Sequence, residues 1–348
     1  MNILYIGDRI KNCESGADVV NKRNIDLLTT LPDVNLFFIS PTIESLFDKC
    51  RFGISNEVLK KIKKNIIDNN ISHIFISQSL LGRVAEYVHD NFQNIQIITF
   101  FHNIEIDYAR AYLRSSGIKG YPFYLLARYW EKKTIENSSK VITLNSRDSD
   151  RLYQNYRIPS SLELPTSFRD KFDEEAFLKS SKTNELNIDY LFVGVAFFPN
   201  IEGIQWFIDN VMPYVEGNLY IIGKGMDKVK FNNISDKVHV MGYVEDLSVY
   251  YYKAKYVVSP IFSGAGMKTK TAEALMYGKM IVGTNEAFEG YDIKEDSMKI
   301  ANTSDEFIAK LNETSLSAIN TFYESSRKLF LEKYEIEKQR ELILSIFQ

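Results

Sequence analysis

Short apolar runs alternate along this chain with longer segments of helical periodicity, and the alternation occurs in two successive series. The runs are apolar at consecutive positions, which is typical of strands buried on both faces of a parallel sheet. Strands that alternate with helices predict a doubly wound α/β fold, so two series predict two such domains. The runs are Ile3–Ile6, Leu36–Ile39, His73–Ile76, Ile95–Phe101 and Val141–Leu144, then Tyr190–Val195, Leu219–Ile222, Val238–Met241, Tyr256–Ser259 and Met280–Val282.

The two series are separated by a stretch in which charged and small polar residues replace the apolar runs. We therefore predict a first Rossmann-like domain over residues 1–166, a linker over 167–187 and a second Rossmann-like domain over 188–330. Residues 331–348 carry an amphipathic helical pattern and are predicted to form a C-terminal helix. A chain of 348 residues is long enough to bury a core in each domain.

Composition argues against several classes of protein. A formal net charge of −3 argues against general nucleic-acid binding, which normally shows a basic surplus. Two cysteines, Cys13 and Cys50, provide neither a disulfide framework nor a set of metal ligands, which favours a reducing cytoplasm. The chain starts with a predicted strand, not a leader, and no apolar run approaches the roughly 18 residues of a membrane span. We expect a cytoplasmic protein, with attachment to the inner face of the membrane left open.

The segment Ser259–Asp292 has the features of an anion site. A turn over Ser263–Gly266 runs into a helix, whose first N–H groups are unpaired and lie at the positive end of the helix dipole. Such an end suits a phosphate or diphosphate. Lys268 and Lys270 add positive charge there, which is unfavourable without an anion. Glu273 follows about one turn later, where a carboxylate can accept hydrogen bonds from sugar hydroxyls.

Each of these residues also has a simpler explanation. Most helix glutamates are merely solvent-exposed, and lysines on a first turn are commonly solvated. Gly264 and Gly266 would also serve in a turn that binds nothing, although glycine permits close backbone approach to phosphate.

The same residues resemble the donor-site signature of glycosyltransferase family 4. The resemblance is carried by GAGMKTKTAEALMYGK at residues 264–279 and by Glu289-Gly-Tyr after the next strand. It covers Tyr190–Asp292 well and the N-terminal half loosely. Members of that family have the GT-B fold, in which two Rossmann-like domains face each other across a cleft, and transfer sugars from nucleotide-sugar donors. The resemblance also implies that the C-terminal helix crosses back to the N-terminal domain.

The resemblance implies roles for individual residues. Glu273 would bind the nucleotide ribose, and Lys268 would be catalytic by stabilising charge that develops on the departing diphosphate. The residues expected to bind the donor nucleotide or its diphosphate are Gly264, Gly266, Met267, Lys268, Lys270, Glu273, Gly223, Tyr243 and Val244. A turn alone explains Gly223 equally well.

In the first half of the chain, His102 follows the run Ile95–Phe101. A lone histidine is more often a structural hydrogen-bonding group, but the resemblance implies that this one faces the donor sugar, and we predict it to be catalytic. Ser15, Gly16 and Ala17 are predicted to form a loop on the acceptor side or at the diphosphate, although a glycine at a helix start also has structural uses.

The segment Gly120–Trp130, GYPFYLLARYW, is unusually aromatic and is followed by Lys132 and Lys133. It predicts either contact with a membrane or a lipid-linked acceptor, or a helix packed in the core.

Two departures from the family pattern place the sugar and diphosphate contacts in question. Ala265 stands where many members carry a glutamate that contacts the donor sugar. Val195 and Asn200 stand where many members have a basic pair.

The expected function is that of a retaining glycosyltransferase that moves a hexose from a UDP- or GDP-sugar to a glycan, glycolipid or glycoprotein acceptor, in surface polysaccharide biosynthesis. The resemblance implies no metal and no other cofactor. Two alternatives remain at this point: a nucleotide-sugar 2-epimerase of GT-B fold, and a non-catalytic GT-B subunit that binds glycan or a partner enzyme.

Overall fold

The computed structural model describes residues 1–7, 16–180, 186–264, 267–313 and 321–347. The chain divides into two compact units, of which the first comprises residues 17–165 with the chain termini and the second comprises 166–338. Each unit contains a six-stranded sheet, and every strand pair in both sheets is parallel. The prediction of two doubly wound α/β units is confirmed.

The first unit has the strand order β2-β1-β3-β4-β5-β6. Its elements are β1 (Asn2–Ile6), α1 (Gly16–Thr29), β2 (Asn35–Ile39), α2 (Leu46–Cys50), α3 (Asn56–Asp68), β3 (His73–Ile76), α4 (Gly82–Asn91), β4 (Gln96–Phe100), α5 (Glu105–Ser116), a 3-10 turn (Gly117–Gly120), α6 (Tyr121–Asn137), β5 (Lys140–Thr143), α7 (Ser146–Tyr156) and β6 (Leu162–Glu163). The central strands are buried along almost their whole length because helices cover both faces of the sheet.

The second unit has the strand order β12-β11-β10-β7-β8-β9. Its elements are α8 (Glu174–Ser180), β7 (Tyr190–Val193), α9 (Phe198–Asn210), β8 (Leu219–Ile222), β9 (Val238–Met241), α10 (Ser248–Lys253), β10 (Tyr256–Ser259), α11 (Thr269–Met276), β11 (Met280–Gly283), β12 (Met298–Ile300), α12 (Ser304–Asn312) and α13 (Glu324–Leu329), with 3-10 turns at Met212–Tyr214 and Met226–Lys228 and a π-helical turn at Phe330–Tyr334. The last helix, α14 (Ile336–Ser345), belongs to the first unit from residue 339 onward.

Close packing in the second unit brings α9 directly against the segment that follows β10. A Cβ atom added at Gly203 would lie 1.9 Å from the Pro260 carbonyl oxygen, so only glycine fits there. This contact holds the start of α9 beside the glycine-rich turn. None of the helices in the described residues is long and apolar enough to cross a membrane.

Candidate functional site

The strand order of the second sheet reverses between β7 and β10. In open α/β sheets, ligands bind beyond the carboxyl ends of the strands at such a switch point. The segments that leave β7 and β10 contain Gly194 and Gly264, and α11 starts at Thr269. The topology therefore places the predicted anion site at the position where a doubly wound sheet binds its ligand.

Lys268 occupies the N-cap position of α11 and makes no side-chain cap hydrogen bond. Its Nζ lies 2.7 Å from Oε1 of Glu286, in an ion pair whose side chains are 12% and 22% exposed. The Tyr291 hydroxyl donates to the Lys268 carbonyl oxygen at 2.7 Å and fixes the backbone there. Glu286 follows β11 in the next turn of the chain, so the sheet edge brings both charges together.

Lys270 is buried, and its Nζ donates to Oδ1 of Asn200 at 2.6 Å. The Asn200 amide in turn donates to the Val195 carbonyl oxygen at 2.9 Å, and the ammonium lies 4.4 Å from the centre of the Phe192 ring. Burial and, to a smaller extent, the charge of Lys268 lower the pKa of Lys270 to about 7, while Glu273 opposes the shift. Lys270 is therefore only partly charged near neutral pH.

Glu273 lies on the first turns of α11 and is partly exposed. Burial raises the pKa of its carboxyl group to about 6, and the charges of Lys171 and Lys270 oppose this shift. At physiological pH the carboxylate form dominates, so this group is an acceptor of hydrogen bonds and not a proton donor.

The glycines of the predicted site lie where backbones approach each other or the lysines. Gly264 has φ +142°, and a Cβ atom there would lie 3.4 Å from Cε of Lys268. A Cβ atom at Gly223 would lie 1.9 Å from the Gly194 carbonyl oxygen, and one at Gly194 would lie 3.1 Å from Nζ of Lys270. The ends of β7 and β8 are thus pressed together beside the lysine, and only glycine permits this.

The remaining predicted residues of the second unit differ in exposure. The Met267 side chain is buried, whereas that of Tyr243 is 76% exposed and that of Val244 is partly exposed. The amide of Gly223 donates to the carbonyl oxygen of Gly242, directly before Tyr243, so this turn adjoins the same sheet edge. Gly266 lies outside the described residues. The structure thus gathers Gly264, Lys268, Lys270, Glu273 and Gly223 at one edge.

In the first unit, His102 follows β4 and is held by polar neighbours. Its Nε2 lies 3.0 Å from Oδ1 of Asn21 and 3.5 Å from Oγ of Ser77, and its ring packs edge-on against Phe100. Burial, together with the charge of Arg23, lowers the pKa of His102 to about 4, so the ring is neutral at physiological pH.

Helix α1 begins at Gly16 and continues through Ala17, while Ser15 lies outside the described residues. The predicted acceptor-side loop is therefore described only where it enters the helix. Ligand binding by these residues, and by those of the second unit, stays a prediction.

A buried carboxylate at the start of α5 was not predicted from the sequence. Glu131 of α6 accepts hydrogen bonds from the Ser79 hydroxyl, the Tyr156 hydroxyl and the amides of Glu105 and Ile106 at 2.7–3.0 Å. Because Glu105 and Ile106 are the first two residues of α5, the Glu131 carboxylate caps the N-terminus of that helix. Burial, followed by the charge of Glu131, raises the pKa of Glu105 to about 7.

Asn200 and Glu286 are the residues of the second unit that sequence analysis missed. Sequence analysis noted Asn200 only because it stands where many family members have a basic residue. In the structure its side-chain oxygen accepts a hydrogen bond from the ammonium of Lys270. Glu286 gave one signal, its place just after a buried strand, where ligand-binding residues collect.

The aromatic segment forms a surface of the first unit. Tyr121, Leu125 and Tyr129 are spaced by four residues on α6 and are about half exposed, whereas Ala127 and Ile135 of the same helix are buried. Tyr112 of α5 is also exposed and packs edge-on against Phe123. The segment thus has a buried side, which packs in the core, and an exposed aromatic side, whose contact with a membrane or a lipid-linked acceptor stays a prediction.

Among the residues that the structure describes, no group of three or more His, Cys, Asp or Glu side chains could hold a metal ion. The prediction that the reaction needs no metal stays a prediction.

Comparison with known proteins gives a partial family match. Residues 187–315 match the model of a family described as glycosyl transferases group 1. An uncharacterized 44.6 kDa protein in the cps region of Klebsiella pneumoniae is 25% identical over 232 residues, which are 59% of this chain and 57% of that protein. The chain thus matches little more than half the length of that relative.

Solved structures match nearly the whole chain at low identity. Sucrose-phosphate synthase from Thermosynechococcus elongatus has a TM-score of 0.75 and 15% identity, with 99% of this chain and 98% of that chain covered. The Anabaena protein HepE in complex with UDP has a TM-score of 0.69 and 13% identity, with 100% and 99% covered. These likenesses and the two parallel sheets give the chain a GT-B fold, and the match over residues 187–315 supports a glycosyltransferase of the group 1, GT-B type.

Proposed function

We propose that this protein is a retaining hexosyltransferase that uses a UDP- or GDP-sugar as donor and a glycan or lipid-linked glycan as acceptor. The observation that carries the proposal is the group of residues at the switch point between β7 and β10, beyond the carboxyl ends of the two strands. There Lys268 and Lys270 lie at the start of α11, beside a glycine turn and before Glu273. Residues 187–315, which match the group 1 glycosyltransferase model, contain this edge. HepE, which shares the fold, is described in complex with UDP and with UDP-glucose.

In the proposed reaction, the bond between the anomeric carbon of the sugar and the diphosphate oxygen breaks while the acceptor oxygen bonds to the same carbon on the same face. The acceptor hydroxyl gives its proton to the departing phosphate oxygen. Negative charge grows on the diphosphate, and Lys268 with the first amides of α11 stabilises that charge without reorganisation. These groups supply the positive charge that a divalent cation supplies in other transferases.

Lys270 and Glu273 bind in this proposal and transfer no proton. A bound diphosphate favours the charged form of Lys270, and Asn200 holds its ammonium in place. Glu273 accepts hydrogen bonds from the ribose hydroxyls. His102 is neutral near pH 7, so its proposed part is a hydrogen bond to a hydroxyl group and not a positive charge.

The acceptor is proposed to belong to surface polysaccharide assembly. The relative from Klebsiella pneumoniae is named for its place in a cps region, and this name supports a polysaccharide pathway for the present chain.

We further propose that the protein works in the cytoplasm at the inner face of the cell membrane. Residues 111–130 contain Arg114, Lys119 and Arg128 and no acidic residue, in a chain whose net charge is −3. Combined with the exposed side chains of Tyr121, Leu125 and Tyr129, this composition suits an interface with anionic lipid headgroups.

A donor screen that measures released nucleotide in the presence of glycan acceptors tests the proposed activity. We expect one UDP- or GDP-sugar to turn over, and Lys268→Ala and Glu273→Ala each to lower kcat/KM at least a hundredfold, since each removes a charged contact with the donor nucleotide. The exposed neighbours Lys294 and Glu295 provide matched controls, and their alanine variants should turn over normally.

Three results would contradict the proposal. Conversion of the free nucleotide-sugar without an acceptor would indicate an epimerase. Nucleotide binding without turnover of any donor would indicate a non-catalytic subunit. Full activity of both site variants would reject the site.

A further inference from the structure

Glu286 lies within the proposed donor site although nothing in the proposed reaction uses it. It follows β11, at the same sheet edge as the start of α11, and its Oε1 lies 2.7 Å from Nζ of Lys268. A Cβ atom added at Gly264 would lie 3.9 Å from the same oxygen. The carboxylate therefore faces the glycine turn as well as the lysine, and it is 22% exposed.

A carboxylate in this position is costly for an enzyme that binds only a diphosphate. Its charge repels the phosphates and neutralises the lysine that would attract them. A role toward a part of the ligand that is not anionic accounts for an acid at this place.

The hydroxyl groups of a sugar are such a part. A carboxylate offers about four acceptor positions and an ammonium offers three donors, so one ion pair can join its members and still bind a ligand on each side. Hydrogen bonds from hydroxyls to a charged acceptor are strong ones, and adjacent hydroxyls on a sugar ring match the two oxygens of a carboxylate. Lys268 would then contact the diphosphate while Glu286 contacts the sugar attached to it.

We propose that Glu286 is a specificity-determining residue that binds hydroxyl groups of the donor sugar, with Lys268 joining it to the diphosphate. This inference rests on the proposed function, since it assigns the sugar side of the same site. It makes a prediction that simple neutralisation of Lys268 does not make: removing the acid should weaken binding of the sugar nucleotide relative to binding of the bare nucleotide.

The test compares dissociation constants of UDP, GDP, UDP-glucose, UDP-galactose and GDP-mannose for the full-length wild-type protein and for Glu286→Gln and Glu286→Ala. For the sugar nucleotide that the wild type binds best, we expect its affinity relative to the bare nucleotide to fall about tenfold or more in both variants. The bare nucleotide should bind equally well or up to severalfold more tightly, because a repelling charge is lost. Glu295→Gln, an exposed acid after the same strand, should change neither constant.

The outcomes separate the two claims. If the variants bind nucleotide and sugar nucleotide with the wild-type ratio, Glu286 does not recognise the sugar, and the inference is wrong while the proposed function stands. If the wild type binds none of the five probes, the proposed function fails and the inference fails with it. Glu286→Gln keeps the shape of the side chain, and an unchanged circular dichroism spectrum and melting temperature would show that a lost ratio does not come from unfolding.

Discussion

Nucleotide binding should draw protons from solution above pH 7, and Lys270 is the group that should take them up. In the free protein its pKa is lowered to about 7 by burial and by the neighbouring charge of Lys268, with Glu273 opposing. Its hydrogen-bond partner, Asn200, is neutral and adds no charge. A diphosphate placed beside the ammonium raises the pKa of Lys270 again, because an opposite charge within hydrogen-bond reach favours the charged form.

The size of the effect follows from the two titrations. At pH 8 a lysine with a pKa of about 7 is roughly 10% charged. A bound diphosphate that raises this pKa back toward the ordinary lysine value keeps the amine almost fully charged at pH 8. Binding should then take up close to one proton per site at pH 8. By the same linkage, affinity should fall severalfold, and at most about tenfold, for each pH unit above pH 7, since free protein loses the proton first.

Calorimetric titration of UDP at pH 8 in Tris and in HEPES measures this uptake, because the two buffers release different heats when they give up a proton. The terminal phosphate of UDP is fully ionised there, since such groups titrate near pH 6. Lys270→Met should abolish the buffer dependence and flatten the pH profile of the affinity. Equal binding heats in the two buffers for the wild-type protein would refute the reasoning.

Three further predictions concern other parts of the molecule. Glu131→Ala should remove the acceptor of four hydrogen bonds, two of them buried and two part-buried, and destabilise the first unit by about 3 kcal/mol, seen by calorimetry as a melting temperature about 10 °C lower. The exposed Glu136→Ala is its control, and equal melting temperatures of the two variants would contradict the capping role. His102 should remain neutral down to about pH 5 in an NMR titration. A ring that titrates near pH 6.5 would contradict the claim that burial lowers its pKa. The double variant Tyr121→Ser, Tyr129→Ser should co-sediment severalfold less with anionic vesicles than the wild-type protein does. A wild-type protein that does not bind such vesicles would contradict the proposed membrane contact.

The strands were predictable because the information is local. Consecutive apolar residues such as Tyr190–Val193 and Met280–Gly283 must be covered on both faces, and a parallel sheet with helices on either side does this. The strand Met298–Ile300 escaped prediction because three residues that include Lys299 carry no such pattern.

The start of α11 was also predictable, since glycines and lysines that precede an apolar helix form a local pattern. The partners of its lysines were not. Asn200 lies 70 positions from Lys270 and Glu286 lies 18 positions from Lys268, so only the folded sheet brings each pair together. The buried face of helix α6 could not be predicted either. Its aromatic residues lie on several sides, so hydrophobic periodicity did not distinguish buried Ala127 from exposed Tyr129.

Crystal structures of the full chain soaked with UDP and with GDP test the central claim most directly. We predict that the diphosphate of one of them lies at the first amides of α11 within hydrogen-bond distance of Lys268, with the ribose hydroxyls on Glu273. A nucleotide bound away from this edge, or crystals that take up neither UDP nor GDP at millimolar concentration, would contradict the account.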